Sequence, residues 1–394
     1  MRGIILTTKF WRKQIGGVGE YTQQLVSQMQ KIGDQILIIT PPTPGDKKFY
    51  QQAGYKVLRR SLPVNQFSFF KQILNLSFFK TLKEIKNTKP DYLLCNRWYE
   101  YLGLLTFLYS KILSVPYFAF AFGTDINKIL LGRGWLSTSL CKLFFLNATK
   151  VYCISRYTKS LAIKLGVLPE KITIIPGGLD MEFIHQNTTK KSQVSSRVKS
   201  LKRKLKGKLV ISTFSRLESY KGIDKVIASL PRILEDVPNA VYLIAGYGPD
   251  ANRLKKLAIQ CKVANKVFFV DYITGASKYF AYKLSDIFIM ASRESSSGGT
   301  EGFGIVYLEA AYFKNPCIAS RLNGSADAVK NNLTGLLLNP YSQSEITRIL
   351  IMFAKDKKLR RRMGQAGHNR AKQFTWVKAA RMLQEDISNT ILHK

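Results

Sequence analysis

The sequence predicts an α/β protein made of two doubly wound, mostly parallel-sheet domains in tandem. Three observations carry that expectation. A chain of 394 residues is long for one core and comfortable for two domains. Short apolar runs alternate with helical stretches almost throughout, the pattern of layered α/β folds. A polar stretch with nine basic residues, 186–208, divides that alternation into two halves. A hydrophobic content of 46% with 12% aromatics provides ample core and excludes a disordered chain.

In the first half, Gly3–Thr8 reads as a strand and Gln14–Gly19 as a glycine loop. A helix carrying Leu25, Met29 and Ile32 follows, then a strand at Gln35–Thr40. Asp91–Cys95, Pro116–Phe120 and Val151–Ile154 are apolar runs of strand length. Tyr101–Gly123 is interrupted by Lys111 and Pro116, so it reads as a helix followed by a buried strand and not as a membrane span. The start, MRGIILTTKFWRK, reads as a first strand and not as a secretion signal. In the second half, Lys208–Phe214, Val241–Ala245, Val267–Val270 and Asp286–Met290 read as strands. Gly222–Leu234, Asp250–Cys261 and Ala276–Lys283 read as the helices between them. The expected division is a domain over 1–185 that also takes the terminal helix 376–394, a basic linker over 186–207, and a domain over 208–375.

The most informative stretch is RESSSGGTEGFGIVYLEA, residues 293–310, followed by PCIAS and TGLLL. It sets Glu301 and Glu309 eight residues apart around a Gly302-Phe303-Gly304 turn that opens an amphipathic helix, its start at Gly304. A helix start presents unpaired N–H groups and the positive end of a dipole, which attract phosphate. A carboxylate just before that start, and another about two turns in, can accept hydrogen bonds from hydroxyls flanking the phosphate. Taken alone, the spacing is common and suits two solvated acids equally well. The surrounding words decide it. The stretch resembles the donor site of retaining glycosyltransferases of family 4, and within that family the phosphatidylinositol mannosyltransferases and their relatives.

The resemblance implies the GT-B architecture: two Rossmann-like domains facing across a cleft, with the last helix crossing back to the first domain. It implies that the N-terminal domain binds the acceptor and the C-terminal one a nucleotide sugar. Ser215-Arg216-Leu217 and Lys221-Gly222 resemble the family's R-x4-K-G pattern, which makes Arg216 and Lys221 candidates for stabilising the leaving diphosphate. Ile15-Gly16-Gly17-Val18-Gly19 resembles the glycine loop that faces the donor, so Gly16 and Gly17 join Gly302, Phe303, Gly304, Ile305 and Glu309 as donor-binding candidates. Glu301 is expected on sugar hydroxyls and Glu309 on the ribose. One departure stands out: where the family commonly carries His-Gly-x-Asp, this chain has Phe122-Gly123-Thr124-Asp125, which leaves Asp125 as the catalytic candidate there.

Transfer from a sugar nucleotide needs positive charge at the departing diphosphate. None of the thirteen aspartates has another two residues away, so no Asp-x-Asp metal motif exists, and no metal or other cofactor is expected. The five cysteines form no C-x-x-C pair and fit a reducing compartment. Retention of configuration, through front-face substitution, follows from the family expectation alone.

The net charge of +36 is the remaining signal, with 61 basic against 25 acidic residues. Such a field attracts nucleic acid, anionic lipid headgroups or anionic substrates. No RRM, KH or zinc-finger pattern is present, so no specific nucleic-acid partner is expected. Residues 65–89 interleave Phe67, Phe69, Phe70, Phe78 and Phe79 with Lys71, Lys80, Lys83, Lys86 and Lys89. A helix aromatic on one side and lysine-rich on the other suits an anionic bilayer interface, although a core helix with a basic outer face reads the same way. The expected protein is therefore a cytoplasmic hexosyltransferase, peripheral on the inner membrane face, acting on a lipid-linked or glycan acceptor. The competing readings are a sugar-nucleotide epimerase on the same scaffold and a non-enzymatic basic nucleic-acid- or membrane-binding protein.

Overall fold

The computed structural model describes residues 1–8, 17–42, 54–60, 76–96, 102–132, 135–189 and 191–392. Two compact units emerge, one from Met1–Gly177 together with Trp376–Lys394, the other from Gly178–Thr375. The boundary falls eight residues before the expected one, and 186–207 is not a free linker. Helices Met181–Thr189 and Ser196–Lys204 occupy most of the segment before the second sheet. Val198 and Leu201 are buried, and the Ser195 N–H donates to Ser277 Oγ of the second unit at 3.0 Å. Arg197, Lys199, Lys202, Arg203 and Lys204 form the outer face of the second of these helices, whose apolar side is core.

The first unit holds strands β1 (Arg2–Leu6), β2 (Gln35–Thr40), β3 (Lys56–Arg59), β4 (Tyr92–Cys95), β5 (Tyr117–Ala121), β6 (Lys150–Cys153) and β7 (Ile172–Ile174). They form one sheet in the order β3-β2-β1-β4-β5-β6-β7, every pairing parallel. Strands this hydrophobic on both faces require helices on both sides. Helices α1 (Gly17–Lys31), α2 (Leu76–Asn87), α3 (Leu102–Leu113), α4 (Thr124–Leu130), α5 (Trp135–Asn147) and α6 (Arg156–Leu165) provide them in this unit. Gly17, Val18 and Gly19, expected in a loop, lie in the first turn of α1.

The second unit holds β8 (Leu209–Phe214), β9 (Ala240–Ala245), β10 (Val267–Val270), β11 (Ile287–Met290), β12 (Cys317–Ser320) and β13 (Gly335–Leu338), ordered β10-β9-β8-β11-β12-β13 and again all parallel. The sheet order reverses between β8 and β11, the point at which doubly wound sheets bind ligands. The helices used below are α7 (Ile223–Asp236), α8 (Gly275–Lys283) and α9 (Ile305–Tyr312).

After the second unit the chain returns as α10 (Trp376–Leu392), which belongs to the first. Its buried face is Trp376, Ala379, Ala380, Leu383 and Ile387. Trp376 packs edge-on against Tyr21 of α1 at 5.0 Å between ring centroids. Asp386 receives Lys150 Nζ at 2.7 Å, the Tyr152 hydroxyl at 3.0 Å and the Thr173 hydroxyl at 3.2 Å. One aspartate thus ties the terminal helix to both β6 and β7.

Candidate functional site

The site in the second unit begins where β8 ends. Beyond Phe214 the backbone runs on beside the β9 turn: the Ser215 N–H donates to Ala245 O at 3.0 Å and the Leu217 N–H to Tyr247 O at 2.9 Å. Arg216 points outward, with Nη1 2.8 Å from Glu218 Oε1. A single 3₁₀ turn, Ser219–Lys221, then turns the chain inward and buries Lys221. Gly222 follows with φ of 74°, and a Cβ there would overlap the Ala291 carbonyl. Both the dihedral and the space demand glycine, which fixes where Lys221 stands.

Facing it is the turn at the start of α9. Gly304 occupies the N-cap position at φ 86°, a left-handed conformation that lets the chain reverse from Glu301 into the helix. The turn is held from outside. The Gly324 N–H donates to Glu301 O at 3.0 Å, and Asn323 Nδ2 donates to Ser292 O at 2.8 Å. A Cβ on Gly324 would overlap the Gly302 carbonyl. Tyr307 anchors the helix by donating its hydroxyl to Met290 O at 2.6 Å. Phe303 is buried against Phe374 at 6.0 Å. Gly304 offers α9 no side-chain cap, and the Tyr307 N–H returns to Gly304 O at 3.0 Å; a helix start without a side-chain cap suits an anion.

Two ion pairs organise the charges. Lys221 Nζ lies 2.6 Å from Glu301 Oε2, with both side chains largely buried. Burial alone would push the Lys221 ammonium down, but the Glu301 carboxylate outweighs it and holds Lys221 above the usual lysine range. The same ammonium lies over the Tyr220 ring, 4.8 Å from its centroid. The second pair is deeper. Glu309 is 5% exposed; Lys278 Nζ is 2.6 Å from its Oε1, and the Tyr282 hydroxyl donates to its Oε2 at 3.0 Å. Burial, then the Glu309 charge, push the Tyr282 hydroxyl well above the usual tyrosine range, so it remains a donor. Breaking a buried pair by removing one partner typically costs about 3–5 kcal/mol.

Glu301, Lys221, Gly302, Phe303, Gly304, Ile305 and Glu309 therefore lie in one unit, around the C-terminal ends of β8 and β11. Arg216 lies on the same turn as Lys221 but is exposed and paired with Glu218. Asp125 and Gly17 belong to the other unit, and Gly16 lies outside the described residues. Asp125 serves its own turn. The Phe122 N–H donates to both its oxygens at 3.1 Å and the Ile126 N–H to Oδ1 at 3.0 Å. Those bonds close the sharp bend at Gly123, where φ is 99°. Phe122 is buried, stacked on Phe120 at 5.7 Å and edge-on to Tyr21 at 5.2 Å. Among the described residues no group of three or more His, Cys, Asp or Glu is placed to hold a metal ion. Lys278, Tyr282 and Asn323 escaped the sequence reading. For Lys278 a weak signal exists: it is a lysine inside the mostly small and aromatic helix GASKYFAYK, which ends in a second lysine, Lys283.

Residues 15–183 match the model of the Glycosyltransferase Family 4 domain and residues 196–370 that of Glycosyl transferases group 1. The GDP-mannose-dependent alpha-(1-6)-phosphatidylinositol monomannoside mannosyltransferase of Mycobacterium tuberculosis is 29% identical over 227 residues, 57% of this chain and 56% of that protein. The chain thus matches little more than half the length of that relative. The alpha-monoglucosyldiacylglycerol synthase of Streptococcus pneumoniae is 25% identical over 80% of this chain and 70% of its own length. Among solved structures, Anabaena HepE in complex with UDP and glucose superposes with a TM-score of 0.79 at 17% identity, covering 99% of this chain and 100% of that one. That likeness establishes the fold.

Proposed function

The chain belongs to the family-4 glycosyltransferases of GT-B fold, and from that premise we propose that it moves a hexose from a nucleoside-diphosphate sugar to a lipid-linked or glycan-precursor acceptor, with retention and without a metal. The observation that carries this reading is the buried Lys221–Glu301 pair set against the uncapped start of α9. A diphosphate entering there meets an ammonium and a helix N-terminus, two features that stabilise a departing phosphate without a metal ion. Displaced from Lys221 by the phosphate, the Glu301 carboxylate becomes an acceptor for hydroxyls of the transferred sugar. Glu309 accepts from the ribose, and Arg216 turns from Glu218 to the diphosphate. Two relatives named for lipids, the monomannoside mannosyltransferase and the monoglucosyldiacylglycerol synthase, support a hexosyl donor and a lipid-type acceptor.

The test is a thermal-shift panel of GDP, UDP and their sugar conjugates on wild type and Glu309→Ala, with and without EDTA. The expected outcome is a strong shift with one nucleotide, insensitive to EDTA and lost in the variant. No shift with any nucleotide would sink the reading.

The membrane-surface proposal rests on α2. Its Phe78, Thr81 and Ile85 face the core, so Phe78 is packing. Leu76 and Phe79 nevertheless stand 72% and 59% exposed, beside Lys80, Lys83 and Lys86. Residues 65–75 lie outside the described residues. Among the described residues no helix is long and apolar enough to cross a membrane. Cosedimentation with anionic but not neutral vesicles, lost at high salt, is the expected result, and equal binding to both would refute it.

A further inference from the structure

The Glu309 carboxylate is engaged by side chains of its own unit, and the manner of its engagement has chemical content. Lys278 and Tyr282 lie four residues apart on α8, hence on one face, and both reach Glu309. The surroundings are apolar: Tyr282 stacks on Phe313 at 5.8 Å and packs against Phe214 at 4.5 Å. Stability does not account for a lysine here, because a buried ion pair is on average no more stabilising than a well-packed apolar pair of the same volume. Hydrogen-bonding capacity does. A ribose hydroxyl both donates and accepts, an ionised carboxylate only accepts, and an ammonium only donates. Glu309 alone satisfies the hydroxyl protons and leaves the hydroxyl oxygens unmatched. With an ammonium 2.6 Å from its Oε1, both halves of the requirement are met at one place.

We propose that Lys278 is a specificity-determining residue of the ribose subsite: its ammonium, held by Glu309, donates to an oxygen of the ribose diol while Glu309 accepts from the hydroxyls, and the pair together selects ribose over deoxyribose. The proposal rests on the reading of Glu309 as the residue that faces the donor's ribose. It makes Lys278 more than a counter-ion. A counter-ion would hold the carboxylate in place and leave the choice of sugar to Glu309.

The experiment is calorimetric titration of UDP and GDP, and of their 2′-deoxy and 3′-deoxy analogues, into wild type, Lys278→Met and Lys278→Arg. Wild type is expected to bind one nucleoside diphosphate about 30-fold more tightly than at least one of its deoxy analogues, because the analogue leaves a polar group of the site unpaired. In Lys278→Met that ratio is expected to fall below about threefold, with the ribonucleotide losing affinity and the deoxy analogue keeping it. Lys278→Arg keeps the charge and hence the fold if the methionine variant does not fold; its ratio is expected to shift by about threefold or more, because the guanidinium presents its donors in a rigid fork. A wild-type ratio retained in either folded variant overturns the proposal while leaving the donor site intact. Equal binding of ribose and deoxyribose forms by wild type does the same. Failure of wild type to bind any nucleoside diphosphate overturns the donor reading itself, and this proposal with it.

Discussion

The two units share an architecture and differ in what they place in the turns at the C-terminal ends of their strands. In the second unit, the turn after β8 buries a lysine against a glutamate. In the first, the turn after β5 buries Phe122 among Phe120 and Tyr21, and its carboxylate, Asp125, closes the turn's own backbone. One turn buries a pair of opposite charges; the other is filled with rings. The lesson is that a doubly wound sheet supplies the position, and the side chain placed there decides whether it holds chemistry or packing.

The most damaging test of that contrast is in the second unit. Lys221→Ala or Glu301→Ala is expected to lower turnover about 10²–10³-fold, the usual loss on removing a group that stabilises developing charge. Near wild-type transfer by Lys221→Ala would erase the distinction between the units. Next comes Gly222→Ala, which forces a side chain into a left-handed backbone and into the Ala291 carbonyl. A loss of about 3 kcal/mol is expected in denaturant titration, and a cost under about 0.5 kcal/mol would show that the turn relaxes freely.

Phe122→His sharpens the comparison from the other side, by restoring the residue type the family carries. In the aromatic cluster it is expected to cost about 1–3 kcal/mol, since the ring nitrogens lose their water, and to leave turnover no higher. A variant that gains activity would show that the first unit had only lost a catalytic group. A smaller effect attaches to Asp386→Asn, which weakens the partly exposed pair with Lys150 and the contacts to Tyr152 and Thr173. About 1 kcal/mol is expected, after discounting for solvent screening.

The smallest effect is an expected constancy. Lys221 is held above the ordinary lysine range, so whatever its charge contributes is fully present below that ordinary value and is lost only as pH rises through the higher, folded one. Nucleotide affinity is therefore expected to stay flat between about pH 7 and pH 9. A decline across that window would mean that Lys221 is not the ammonium that meets the phosphate.

Much of this is legible in the sequence. The tandem α/β alternation and the grouping of Glu301, Gly304 and Glu309 follow from local patterns: apolar runs, a glycine turn, a helix start; the returning terminal helix follows from the family resemblance alone. What stays hidden depends on contacts distant in sequence. Residues 186–207 look like a linker because their charges are read in one dimension. Only the packed structure shows Val198 and Leu201 turned inward. Lys278 lies 31 positions from Glu309, and no spacing rule relates them. Phe122 reads as a missing histidine, but its neighbours Tyr21 and Phe120 make it a member of the core. Gly17 to Gly19 read as a loop and begin a helix, because glycine weakens a helix without forbidding its first turn.

The return of α10 also orders events during synthesis. The face of α1 that carries Tyr21 waits for Trp376, and the Lys150 and Tyr152 side chains wait for Asp386. A chain emerging from the ribosome can finish the second unit first, while the earlier-made one stays open along that seam until the residues beyond 375 appear. Premature termination late in the message would thus injure the part of the molecule translated earliest.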